Sequence, residues 1–234
     1  MKVLGLDSAL RNTGWQLLEV DPTKLRPHNS PHHTHIIMDR LAGGTIKQDD
    51  TDETRLDRLV KNAQETHALV HEHKPDMVVI EGALDKGANR STTGMALYAL
   101  IVGPWHPSSV YSTGLHTPSF ILTITPERLL SIAYGSRSIK GGDCVNKYRE
   151  LAKETPKGRV SQHEVDAYFL AYHGVRFYFT CVTEEWPKSI LTDKEAAMFY
   201  DQGRIVDAKS GRTFSGTPII KQEGQNWWRG KTQS

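Results

Sequence analysis

The sequence predicts an α/β domain built on a mixed five-stranded sheet, an antiparallel meander followed by parallel strands, flanked by helices and followed by a C-terminal extension. Three observations predict it. Val3-Leu4-Gly5-Leu6 and Met77-Val78-Val79-Ile80 are short apolar runs of the kind shown by strands buried on both faces. Between them, from Asp52 to Lys74, apolar residues recur at helical spacing, and a strand-helix-strand crossover makes its two strands parallel neighbours. With 234 residues, 38% hydrophobic and 24% charged, the chain can bury a proper core and fits no fibrous or disordered class.

The first run delivers Asp7 into the small-residue turn Ser8-Ala9-Leu10-Arg11-Asn12-Thr13-Gly14. An acid at the carboxyl end of a central strand stands where open α/β sheets place their sites; the alternative is a simple turn cap. Trp15 to Val20 reads as a second strand, antiparallel to the first. Asp21 to His35, with three prolines and four histidines, reads as an exposed hairpin loop. Its His28, His32, His33 and His35 lack Cys or carboxylate partners at ligand spacing, which favours solvated histidines over a zinc site. Ile36 to Met38 and Leu41 to Ile46 supply a third strand.

The helix over Asp52 to Lys74 carries Leu56, Leu59, Val60, Ala63, Leu69 and Val70 as its apolar residues and is stopped by Pro75. Met77 to Glu81 then forms a strand that Glu81 closes as Asp7 closes the first, so parallel pairing sets the two acids side by side. A glycine-rich polar stretch leads to a helical segment from Met95 to Val102, a strand from Phe120 to Ile124 and a helix that Pro126 opens and that runs through Ala133. From Glu127 to Arg159 eight basic residues face four acids, which suits either a phosphate-facing surface or a solvated helical face.

Ser161-Gln162-His163-Glu164 has the spacing of a capping box, opening a helix in which His163 and Asp166, three apart, share one face. Composition changes after Gly174, so we divide the chain into a domain over 1–180 and an extension over 181–234. In the extension, Arg204 to Asp207 and Thr213-Phe214 read as a small hairpin. Trp227 and Trp228 stand among basic residues, an arrangement that either stacks on nucleic-acid bases or anchors the tail in the core.

Composition excludes little else. The net charge of +2 neither demands nor rules out a nucleic-acid partner. No apolar run approaches the ~18 residues of a membrane helix, and no export signal is visible, so no membrane association is expected. Two cysteines, Cys144 and Cys181, make no disulfide framework, and a reducing cytoplasm is the expected compartment.

Asp7, Glu81, His163 and Asp166 thus stand at the ends of separate apolar elements. Hard oxygen ligands gathered in this way suit magnesium, and two such ions flank the scissile phosphate in two-metal nucleases. The Leu-Gly-Leu-Asp strand with Thr-Gly after it, the Ile-Glu strand end after a long helix, and the late His-x-x-Asp-Ala helix resemble the RuvC-type Holliday junction resolvases, over roughly Met1 to Gly174. Ser8-Ala9 replaces the Pro-Gly that often follows the first acid, the His-rich loop is longer than the compact family core needs, and the tail from Glu184 to Ser234 has no counterpart there.

That resemblance implies a ribonuclease H-like fold and a structure-selective endonuclease that resolves four-way DNA junctions by symmetric nicks. It implies Asp7, Glu81, His163 and Asp166 as catalytic ligands of two Mg2+ ions, with Mn2+ as a substitute that the imidazole favours. It also implies a homodimer, with Met95 to Val102 as an interface element, in the cytoplasm of a bacterial cell or phage-infected host. Lys140 is the first candidate for DNA contact, with Arg137, Arg128 and Lys147 beside it. The alternatives are a same-fold nuclease acting on other branched DNA or on RNA, and an actin-like ATPase or kinase, for which 234 residues leave little room.

Overall fold

In the computed structural model, β1 (Lys2–Asp7) runs through the interior of a sheet whose strand order is β3-β2-β1-β4-β5-β8. The structure describes residues 1–26, 35–48, 54–82, 90–105, 116–134, 141–152, 160–182, 191, 195, 205–206, 213–214 and 219–221. β2 (Asn12–Arg26) and β3 (His35–Lys47) complete an antiparallel meander with β1, while β4 (Met77–Glu81) and β5 (Phe120–Ile124) extend it in parallel. The five expected strands are present. A sixth, β8 (Ile219–Lys221), comes from the extension and pairs antiparallel with β5. The meander is longer than its apolar pattern: pairing resumes beyond a register shift after Val20 and reaches Arg26 opposite His35. Both ends of the expected 21–35 loop are therefore strand, and His28, His32 and His33 lie outside the described residues.

α1 (Arg55–His73) starts at a capping box between Thr54 and Asp57 and ends at Lys74, which takes the left-handed conformation at φ 47° just before Pro75. Its buried face holds Leu59, Asn62, Ala63, Thr66, Leu69 and Val70, whereas Leu56 and Val60, expected among its apolar residues, are exposed. α2 (Arg90–Val102) begins earlier than the apolar segment alone suggests. α1 and α2 cover one face of the sheet, over Leu4, Leu6, Val78 and Ile80. α3 (Pro126–Tyr134), α4 (Gly141–Ala152) and α5 (Gln162–Phe177) cover the other, over Val3, Met77 and Val79. α5 does not stop at Gly174. That glycine passes so close over Val79 that a Cβ would collide with the valine side chain, and the helix continues into a π-helical turn over Tyr178–Val182. No described helix is long and apolar enough to cross a membrane.

The extension reaches the core. Ile205–Val206 (β6) and Thr213–Phe214 (β7) form the expected hairpin, and Leu191 is buried in the cluster under α5. Glu195 is buried, accepting from Arg176 Nε at 2.7 Å and Nη2 at 2.9 Å and bonding His173 Nδ1 at 2.7 Å. Burial opposes its charge, yet the bonds from His173 and Arg176 outweigh it and hold the carboxyl well below the usual range. Burial likewise depresses the His173 imidazole, so the ring is neutral and donates its Nδ1–H.

A depressed folded-state pKa contributes stability that is complete above the unfolded value and is lost as pH falls through the folded one. For His173 that loss begins below 6.5, and for Glu195 below 4.5. His173→Gln keeps an N–H donor for Glu195 but takes up no proton. Thermal denaturation between pH 7 and 5 should therefore show a shallower fall of Tm in His173→Gln than in the parent protein.

Candidate active site

Side chains alternate across a strand, and the alternation decides which face receives Asp7. Leu4 and Leu6 point toward α1 and α2, while Val3 packs on the α5 side and Gly5 lies under Ala167 and Ala171 of α5. Asp7 shares the parity of Val3 and Gly5 and faces α5. In β4, Met77 and Val79 belong to the same side, which sets Glu81 there too. The β1–β4 register pairs Leu6 with Ile80, so one step on, Asp7 and Glu81 are neighbours.

α5 can bring His163 to them because it lies directly on the sheet backbone. A Cβ on Gly5 would overlap the Ala167 carbonyl oxygen and come within 2.9 Å of the Ala171 nitrogen. One on Gly14 would overlap the His163 carbonyl and approach the Glu164 nitrogen to 2.7 Å. The helix start is pinned by β3: Thr45 Oγ1 donates to Glu164 Oε1 at 2.7 Å and lies 3.1 Å from Ser161 Oγ. Only half of the expected capping box therefore forms. Ser161 Oγ accepts from the Glu164 amide at 3.2 Å, while the Glu164 carboxylate is taken by Thr45.

The turn behind Asp7 is tied down from α1. Buried Asn62 donates through Nδ2 to the Ala9 carbonyl at 3.0 Å and accepts from Thr13 Oγ1 at 3.0 Å, and Thr66 Oγ1 donates to the Asn62 carbonyl at 2.8 Å. This polar network is why Asn62 replaces an apolar residue on the buried face of α1. Asn62→Ala should cost about 2 kcal/mol in urea unfolding, through buried groups left without partners.

His163 Nδ1 and Asp7 Oδ2 are 2.6 Å apart, with Asp7 buried and His163 partly open to solvent. That bond raises the imidazole pKa above its ordinary value against the opposing effect of burial. Asp166 is pushed up to about 6, by burial first and then by the Asp7 charge, although bonds from Gln162 and Tyr134 pull the other way. Glu81 lies well above the ordinary carboxyl range because of burial, its contact with Asp7 and the charges of Asp7 and Asp166. Three carboxyl groups thus crowd one another beside one imidazole, an arrangement short of positive charge. Among the described residues no three His, Cys, Asp or Glu side chains form a ready-made ligand cage. Yet the donors are hard oxygens and an imidazole from three elements, and their mutual repulsion is what a divalent cation relieves, so the set fits one.

All four residues predicted from the sequence are thus associated: Asp7 with His163 by a hydrogen bond, Glu81 and Asp166 through their charges. The DNA-contact candidates fare differently. Lys140 and Arg137 lie outside the described residues, and Arg128 lies on α3. Lys147 is half-buried: Nζ donates to the Ala133 carbonyl and sits 5.9 Å from the Tyr134 ring centroid, so it ties α4 to α3 where an outward phosphate contact was expected. Sequence reasoning missed Asn62, Thr45, Tyr134 and Gln162. Asn62 left a signal, a polar residue inside an apolar helical stripe; the others depend on how helices dock and left none.

No protein-family model matches the chain. A stretch of 105 residues is 31% identical to the crossover junction endodeoxyribonuclease RuvC of Caulobacter vibrioides, covering 44% of this chain and 54% of that protein. The chain thus spans about half the length of the curated relative it matches. Among solved structures, Thermus thermophilus RuvC aligns with a TM-score of 0.54 at 14% identity, over 78% of this chain and 98% of that one. The T. thermophilus RuvC in complex with a Holliday junction substrate aligns with a TM-score of 0.52 at 14% identity, over 73% and 90%. The resemblance expected from the sequence is present, and the fold is the ribonuclease H-like one of RuvC.

Proposed function

We propose that this chain is a RuvC-type, metal-dependent endodeoxyribonuclease that resolves four-way DNA junctions by symmetric nicks. What carries the proposal is the crowding of Asp7, Glu81 and Asp166, with His163, at the carboxyl edge of β1 and β4. The RuvC relative and the shared fold support it. Asp7, Glu81, His163 and Asp166 would hold two divalent ions, magnesium by the hardness of three carboxylates, with manganese accepted through the imidazole. Ions held there would supply an activated water for in-line attack on phosphorus and charge to steady the leaving oxygen, the chemistry that would leave 5′-phosphate and 3′-hydroxyl ends.

The chain's own contribution is position. Gly5 and Gly14 let α5 approach, Thr45 fixes its first turn, and Asn62 fixes the turn after Asp7. The basic stretch 127–159, with Lys140 and Arg137 foremost, is where the DNA backbone would be met.

A two-fold junction cut on two strands calls for two related sites, so the active form is a homodimer. Met95 and Leu100 of α2 and Leu56 and Val60 of α1 are exposed apolar side chains on the helices of the face opposite α5, and they suit an interface. The test is cleavage of a synthetic four-way junction, a flap, a linear duplex and an RNA/DNA hybrid in Mg2+, with light scattering for mass. Preference for the junction by a dimer is expected; better cleavage of the hybrid or the flap would move the substrate to RNA or to other branched DNA.

A further inference from the structure

We propose that Tyr134 is a positioning residue that saturates one oxygen of Asp166 and leaves the other as a single ligand for a small divalent cation. This rests on the metal-dependent reading above and deepens it. Tyr134 ends α3, and its hydroxyl crosses to α5 to donate to Asp166 Oδ1 at 3.1 Å. Gln162 Nε2 donates to the same oxygen at 2.9 Å, and among the described residues no donor reaches Oδ2.

The two donors differ in kind. Gln162 is exposed and lies one turn before Asp166 on the same helix, so water competes with its bond. Tyr134 comes from another element and is held by its ring, which packs edge-to-face on Phe169 with centroids 5.0 Å apart and carries Lys147 Nζ at 5.9 Å. A hydroxyl on so fixed a ring is a rigid donor. Partners of this sort around a ligating carboxylate orient it and tune the affinity of the site.

The consequence is ion selectivity. A carboxylate with one oxygen already bonded offers the other alone, which suits a small octahedral ion better than a larger one such as Ca2+, which accepts both oxygens. Tyr134→Phe removes the hydroxyl and keeps the ring packing.

The experiment is calorimetric titration of the full chain, without nucleic acid, with Mn2+ and separately with Ca2+. For Tyr134→Phe we expect Mn2+ affinity to fall about tenfold while Ca2+ affinity changes little, and Tm without metal to stay close to the parent value. Tyr98→Phe, which removes a hydroxyl bonded to Thr123 at 2.8 Å, is the control and should leave both affinities unchanged. Should Tyr134→Phe fail to fold, Gln162→Leu at an exposed position should shift the Mn2+ to Ca2+ ratio in the same direction by a smaller factor, since water replaces part of the bond it removes. Unchanged affinities, or an equal loss for both ions, overturn the inference and leave the nuclease reading standing. A parent protein that binds neither ion overturns both.

Discussion

Asp7→Asn is expected to abolish Mg2+-dependent cleavage of a four-way junction, by at least about 1,000-fold in rate, while the protein stays folded. The factor corresponds to about 4 kcal/mol of transition-state stabilisation, the scale of a lost metal ligand. Asparagine keeps the shape and one oxygen, so packing around the β1 terminus is preserved. The charge it removes lies beside Glu81 and Asp166, which burial first and then Asp7 hold above their ordinary carboxyl range. Relieving that repulsion should leave Tm unchanged or higher, because charge crowding at a functional site costs stability. Single-turnover cleavage and a thermal melt on the same sample check both halves. Full activity in the variant would remove Asp7 from the chemistry.

Gly5→Ala and Gly14→Ala should be nearly as damaging by a different route. At Gly5 the added methyl collides with the Ala167 backbone in the middle of α5, and neither element can give. We expect a loss of about 3 kcal/mol or more, or roughly 6–12 °C in Tm for a chain of this size. At Gly14 the methyl meets the His163 carbonyl at the helix start, where α5 can lift slightly. Stability should fall less there and cleavage more, by about 100-fold, as a misplacement of about 1 Å costs. Differential scanning calorimetry beside a cleavage assay separates the two. Equal effects on Tm at both positions would show that Gly14 does not set the His163 position.

Much of this site was legible before any coordinates. The apolar runs ending in Asp7 and Glu81 could hardly be anything but buried strands, and period-two alternation with parallel pairing sets the two acids together. His163 and Asp166 were readable because helical spacing puts them on one face. What remained hidden depends on docking. Nothing in Ser161-Gln162-His163-Glu164 announces that Thr45, 119 residues from Glu164, takes the Glu164 carboxylate and leaves the capping box half formed. Lys147 looked like a cation for DNA because sequence shows charge and conceals orientation; its Nζ turns inward, 5.9 Å from the ring centroids of both Tyr134 and Phe169. Glu195 lay in a stretch without periodicity, and its pairing with Arg176 follows from a chain path that no local pattern encodes.

β8 has a bearing on how the protein behaves in company. Without Ile219–Lys221, the outer side of β5 would be a row of free backbone amides and carbonyls beside an apolar strand, a template for another chain to join. Three residues of the extension occupy that row, so this segment serves the sheet as a guard against its own kind. On that side the sheet then ends in a strand of only three residues, a short edge that offers little for a second chain to pair with.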